Sequence, residues 1–174
     1  IVFITHDLDE ALRMGDRIAI LNEGELVQVG KPADILLKPA NDYVEKFVRD
    51  VNRARALTVE TVMQPATHRI HAKTIDEALE QMRGARFDYA YYFNDSGFQG
   101  AISESRLAEL AQQDGTQPLT VAHSEVAPCT SIHSVIADVI PETLSHSIPL
   151  PVLDDEGLLS GQISKQDLAK VLSN

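Results

Sequence analysis

Gly100-Ala101-Ile102-Ser103 and Gly161-Gln162-Ile163-Ser164 stand 61 residues apart, and Leu107 and Leu168 keep that interval. A spacing held over several positions marks a duplicated unit, and such a unit buries its apolar face against its sister. The first copy runs from Leu57-Thr58-Val59 through a short strand near Arg69-Ile70-His71 to a helix opened by Thr74-Ile75-Asp76-Glu77, where Thr74 and Glu77 have capping-box spacing. Ile75, Ala78, Leu79 and Met82 mark one helical face. A strand at residues 87–93, the turn Asn94-Asp95-Ser96-Gly97, a strand to Ser103 and a helix over 104–111 complete it. The second copy begins at Leu119-Thr120-Val121. It has a helix around residues 135–140, a strand over 150–153, a turn at Asp154-Asp155-Glu156-Gly157, a strand over 158–164 and a helix over 165–172. The pattern predicts a duplicated β-α-β-β-α unit of mixed α/β (α+β) class.

Ahead of the repeat, the β-branched and aromatic run Ile1-Val2-Phe3-Ile4 predicts a strand buried on both faces, with His6 at its carboxyl end. Ligands of open α/β sheets dock beyond those ends, which makes His6 a candidate for reaching a phosphate. A helix follows to Gly15, read as a left-handed stop. A hairpin then turns at Asn22-Glu23-Gly24, Pro32 opens a short helix, and Asn41 is placed to cap another over residues 42–48. In that last helix Tyr43, Val44 and Phe47 form a narrow apolar stripe. Residues 49–56 read as a polar connector whose arginines, interleaved with acidic residues, are solvated linker charges rather than a membrane anchor.

Thr5-His6-Asp7, Asp9-Glu10-Ala11 and residues 16–30, with Pro32 beyond, resemble the end of an ABC-transporter ATPase. That resemblance assigns His6 the switch-histidine role at the ATP γ-phosphate, with ATP and Mg²⁺ held by the whole subunit. The repeat, most clearly its tail Gly-x-Ile-Ser-x-x-Asp-Leu, resembles a tandem pair of CBS domains. Together they resemble the ATP-binding subunits of glycine betaine/proline importers. The division implied is 1–50 for the truncated end of the ATPase domain, 51–56 for the linker, and 57–113 and 119–174 for the two CBS units. An exposed apolar surface is expected over the first fifty residues, leaving them poorly ordered, rearranged or packed on a partner chain. The resemblance further implies a homodimer, a membrane-spanning transporter subunit as partner, and a cytoplasmic position against the inner face of the membrane.

In ligand-binding CBS units the tail Ser meets phosphate and the Asp holds the ribose of an adenine nucleotide, which the resemblance maps onto Ser164 and Asp167. The same two residues have the spacing of a helix cap, so ligand binding and plain capping both stand. In the first copy Arg106 occupies the aspartate's place behind Ser103, and a guanidinium accepts no hydrogen bonds. The alternation of Phe87, Tyr89, Tyr91 and Phe93 on one strand face predicts a core stripe or dimer contact ahead of a base-stacking surface. The five histidines beyond His6 show no metal-ligand helix spacing, and no metal is assigned. No Gly-x-x-x-x-Gly-Lys-Ser/Thr occurs, Gly30-Lys31 being followed by Pro32, so this stretch is not expected to hydrolyse ATP by itself.

Composition narrows the classes further. The chain has 26 acidic and 15 basic residues and a formal charge of −11, against nucleic-acid binding. The imbalance is greatest in the repeat, with 7 basic and 16 acidic residues over 58–174 against 8 and 10 over 1–57. A single cysteine, Cys129, excludes an internal disulfide framework and is read as a small packed residue. No apolar run reaches the ~18 residues of a membrane-spanning helix.

Overall fold

The computed structural model describes residues 1–126 and 130–173; Cys129 lies outside them. Residues Ile1–Ile4 form no strand and lie exposed, contrary to the expected buried strand. A strand buried on both faces needs hydrogen-bonding neighbours and cover on each side, and no strand among the described residues pairs with this run.

Helix α1 spans Leu8–Met14 and is capped by Asp7, whose Oδ1 accepts the Glu10 N–H at 3.1 Å. Gly15 ends it in an extended conformation, not the left-handed one, and is needed for space: a Cβ there would lie 2.9 Å from the Ala11 carbonyl oxygen. Strands β1 (Ile18–Asn22) and β2 (Glu25–Gly30) pair antiparallel around Glu23 and Gly24, both at positive φ as a tight hairpin requires. Helix α2 (Pro32–Leu37) begins on its proline and buries Ile35 and Leu36. Asn41 Oδ1 accepts the Val44 N–H at 3.0 Å to start α3 (Asp42–Val48). The buried pair on α3 is Val44 and Val48; Tyr43 and Phe47 stack on each other outside, which corrects the expected stripe. Residues i and i+4 share a face, so both pairs satisfy the periodicity and packing selected the smaller one.

The polar run expected as a connector contains a one-turn helix, α4 (Arg53–Ala56), with Ala54 buried. Ala54 belongs to one hydrophobic cluster that takes in Leu12, Ile18, Ile35 and Val44 from the N-terminal segment and Ile136, Leu168 and Val171 from the second repeat. From α1 onward the first fifty residues therefore pack onto the second repeat of their own chain, where poor order, rearrangement or packing on a partner chain was expected.

In the first repeat, β3 (Arg69–His71), α5 (Ile75–Ala85), β4 (Tyr89–Asn94), β5 (Gly97–Ser103) and α6 (Glu104–Asp114) give a sheet ordered β3-β4-β5. In the second, β6 (Thr130–Ser131), α7 (Ile136–Ser145), β7 (Leu150–Leu153), β8 (Leu159–Ile163) and α8 (Lys165–Leu172) give β6-β7-β8. Each sheet pairs its first two strands parallel and its last two antiparallel. Thr74 Oγ1 accepts the Glu77 N–H as its spacing predicts, but the Glu77 carboxylate turns to the Lys73 N–H, so the box is not reciprocal. The predicted face Ile75, Ala78, Leu79 and Met82 is the buried face of α5.

The leading segments are exchanged. Val59 and Glu60 donate to Ser134 and Ile132 (2.8 and 2.9 Å), and Gln64 trades backbone hydrogen bonds with Gln162 (2.9 and 2.8 Å), so residues 57–64 lie on the second repeat. Conversely Leu119 donates to Lys73 and Glu125 to Ala101, both at 2.9 Å, placing 119–126 on the first. Gly161 sits where the exchange is tightest, since a Cβ there would be 2.9 Å from both the Gln64 carbonyl oxygen and Met63 Sδ. Gly161→Ala should cost about 1–3 kcal/mol by forcing that segment off β8. Urea unfolding checks it, and an unchanged midpoint would show that the crossing strand is slack.

Candidate functional site

The two faces of β4 serve different cores. Ala90 and Tyr92 lie under α5 and α6 with Ile102 and Leu107. Tyr91 turns to the second repeat and packs with Leu150, Val152 and Ile163. Its hydroxyl donates to the Pro149 carbonyl at 2.9 Å. Tyr89, Tyr91 and Phe93 of the expected stripe thus face the other half of the chain, whereas Phe87 precedes the strand and packs on the first-repeat core. Tyr89 and Phe93 are the half-buried members of the same face.

Tyr89 reaches the tail of the second repeat. Its hydroxyl donates to Gln162 Oε1 at 3.1 Å. Burial pushes the phenol above its ordinary range, the Gln162 hydrogen bond opposes that, and the carboxylates of Asp88 and Asp167 add to it. Tyr89 therefore stays a neutral donor at physiological pH. Beside it His68 stacks on Phe87 (4.2 Å between centroids, 14°) and leans on Tyr89 (4.6 Å). Among the described residues His68 Nδ1 is buried without a hydrogen-bond partner. Periodicity flagged Tyr89 only as a stripe residue, and nothing in the sequence pointed to His68 or Gln162 as its neighbours.

Ser164 and Asp167 meet as their spacing predicts. Asp167 is buried, 6% exposed, and its Oδ2 accepts both the N–H and the hydroxyl of Ser164 (2.9 and 2.6 Å), while Ser164 Oγ accepts the Asp167 N–H at 3.2 Å. This reciprocal box holds the first turn of α8. Both hydrogen bonds from Ser164 fall on Oδ2, so the Asp167 carboxylate retains acceptor capacity at Oδ1. An adenine nucleotide fits this donor set in kind: an aspartate for ribose hydroxyls, a serine at a helix start for phosphate, and aromatic rings from the facing half.

His6 is exposed in the bend before α1 and stands apart from that cluster. Asp7 beside it is tied to Thr5, whose Oγ1 accepts its N–H at 3.0 Å and donates to Glu10 at 2.7 Å. A separate shallow cleft of about 120 Å³ lies between α1 and α4, lined by Asp9, Leu12, Arg13, Asn52, Arg55 and Ala56. Among the described residues no cluster of three or more His, Cys, Asp or Glu side chains is placed to hold a metal, and no helix is long and apolar enough to cross a membrane.

No family model matches the chain. Among solved structures its fold is similar to a CBS domain pair/ACT domain protein of Thermotoga maritima, with TM-score 0.52 and 21% identity over 67% of this chain and 97% of that one. It is similar also to Hypoxic Response Protein I, solved with two coordinated zinc ions (TM-score 0.54, 16% identity, 66% and 98%). Staphylococcus aureus OpuCA matches with TM-score 0.50 and 20% identity over 64% of this chain and 96% of that one. Two β-α-β-β-α halves that meet at the aromatic face of β4 have the fold of a tandem CBS pair.

Sequence relatives narrow the class. The chain is 35% identical to the glycine betaine/carnitine transport ATP-binding protein GbuA of Listeria monocytogenes over 99% of its length and 44% of that protein's. To ProV of Escherichia coli, a glycine betaine/proline betaine transport ATP-binding protein, it is 34% identical over 99% and 44%. Nearly the whole chain is similar to one portion of these ATP-binding subunits, and it spans less than half their length.

Proposed function

We propose that this chain is the regulatory portion of the ATP-binding subunit of an ABC importer for compatible solutes such as glycine betaine and proline. In this reading the CBS pair tunes transport to osmotic or ionic conditions. One observation carries it: the likeness to these subunits is continuous over 99% of the chain, through the His6 segment and both repeats. The packing of α4 among α1, α7 and α8 supports it, because a rigid join lets the state of the repeats bear on the segment that carries His6. Residues 1–50 are then the end of the ATPase domain, 51–56 the join, and 57–113 and 119–174 the CBS units. His6 would meet the ATP γ-phosphate only with the phosphate-holding residues and Mg²⁺ of the whole subunit in place. The subunit would work as a homodimer on the inner face of the cell membrane, held by a membrane-spanning subunit.

The acidic surface of the repeat supports ionic sensing, since salt screens exposed charges over a Debye length of about 8 Å at physiological strength. In proteoliposomes holding the complete transporter, solute uptake should rise with ionic strength on the ATP side. Removal of residues 57–174 should flatten that response, and a response left intact would refute the reading.

Asp167 and Tyr89 support a second reading, an adenine-nucleotide or cyclic-dinucleotide sensor in the cleft beside Ser164. Calorimetry with AMP, ATP and cyclic di-AMP should show saturable binding that Asp167→Ala abolishes. The same variant loses the reciprocal cap and about 1 kcal/mol of stability. Loss of stability with no ligand bound by the unsubstituted chain would leave capping as the pair's whole role.

A further inference from the structure

The two repeats satisfy the same backbone group by different means. In the second, the Ser164 N–H at the start of α8 is taken by Asp167, three residues along the same helix. In the first, Ser103 caps α6 in the same way, its Oγ accepting the Arg106 N–H at 3.2 Å. The residue three along is Arg106, however, which has no acceptor to offer. The Ser103 N–H is taken instead by Glu125 Oε2, from 22 residues away. Arg106 turns aside and pairs with Glu109 at 3.1 Å.

Glu125 reaches this place because its segment is fastened along the free edge of β5. Its own N–H donates to the Ala101 carbonyl at 2.9 Å. Ser124 Oγ accepts the Ala101 N–H at 3.1 Å and donates to the Val126 carbonyl at 2.8 Å. The carboxylate is therefore fixed by an extra strand-like pairing. It stands where the corresponding tail of the second repeat has its own aspartate.

We infer that Glu125 seals the first-repeat helix start, so that each chain offers a single nucleotide position, at Ser164 and Asp167. This rests on the nucleotide reading of that second site. A phosphate arriving at Ser103 meets a carboxylate already holding the N–H it would use, and a ribose there finds Arg106 with nothing to accept its hydroxyls. To enter, a nucleotide must displace Glu125, setting the Ser103 N–H against one of its own oxygens in exchange.

AMP titrated into the 174-residue chain by calorimetry should bind once per chain. Asp167→Ala should remove that binding, and Glu125→Ala should leave it in place. Two AMP per chain, or one that survives Asp167→Ala, overturns the inference. Hydrogen exchange at the Ser103 amide supplies a readout free of ligand: Glu125→Ala should speed it at least about tenfold, and Glu125→Gln, which keeps an acceptor, should restore most of the protection. Unchanged exchange in Glu125→Ala overturns the role of Glu125 whether or not AMP binds. Absence of AMP binding by the unsubstituted chain, with Ser103 exchange speeded in Glu125→Ala, refutes the nucleotide reading and keeps the seal.

Discussion

Tyr91→Ala should lower the unfolding free energy by about 3–5 kcal/mol, a large share of what a domain of this size commonly has. Tyr91 is fully buried and stands between the sheets of the two halves, among Ala101, Leu150, Val152 and Ile163. Removing the ring leaves a cavity that two twisted sheets cannot close without shifting every strand pair behind them, so the cost includes lost contact as well as lost burial. The hydroxyl contributes separately through its hydrogen bond with the Pro149 carbonyl. Tyr91→Phe should accordingly cost only about 1 kcal/mol, the loss expected for one neutral hydrogen bond to a carbonyl. Urea unfolding of the three chains separates ring from hydroxyl. A Tyr91→Ala chain within about 1 kcal/mol of the parent would show that the halves do not depend on this face for their association.

Leu57→Ala should cost about 2–5 kcal/mol, by the same cavity argument applied at the join. Leu57 is 1% exposed; its N–H closes α4 on the Arg53 carbonyl and its carbonyl receives the Ile136 N–H at the start of α7. It therefore links the last turn of the N-terminal segment with the first turn of a second-repeat helix. Limited proteolysis gives the sharper readout: cleavage near residues 49–56 should appear in Leu57→Ala under conditions in which the parent chain resists. If the variant unfolds at the parent's urea midpoint and stays resistant, residues 53–64 are a tether laid on the surface rather than a structural join. The regulatory reading would then lose its physical route from the repeats to the His6 segment.

The parts of the fold that were legible in the sequence are those set by short-range periodicity. The buried face of α5, the bounds of α8, the turn at residues 94–97 and the two-sided alternation of β4 all follow from side-chain spacings of a few residues. So does the Ser164–Asp167 pair, because a cap is closed within one turn. The 61-residue interval adds the duplication, and the resemblance of motifs adds the class.

Where expectation failed, the residues were answering to distant partners. Ile1–Ile4 has strand composition but no strand among the described residues to pair with, and composition alone does not make a sheet. Tyr43 and Phe47 lost the inner face of α3 to Val44 and Val48, a choice made by the packing. The connector around Ala54 lacks a broad apolar stripe, yet one small residue at the contact lets a single turn of helix pack closely into the shared core.

By itself the amino-acid sequence determined most helices and strands of the repeat, the apolar face of α5, the alternation of β4, and that the unit occurs twice. Only the tertiary structure decided what covers those sides: the exchange of residues 57–64 and 119–126 between halves, the turning of Tyr91 toward its sister sheet, and the arrival of Glu125 at a helix start 22 residues behind it. The reason is one of range. Local spacing fixes the direction of a side chain relative to its own backbone, whereas its partner is selected by the closure of long loops and the competition of whole faces for burial, for which no spacing within the chain provides a measure.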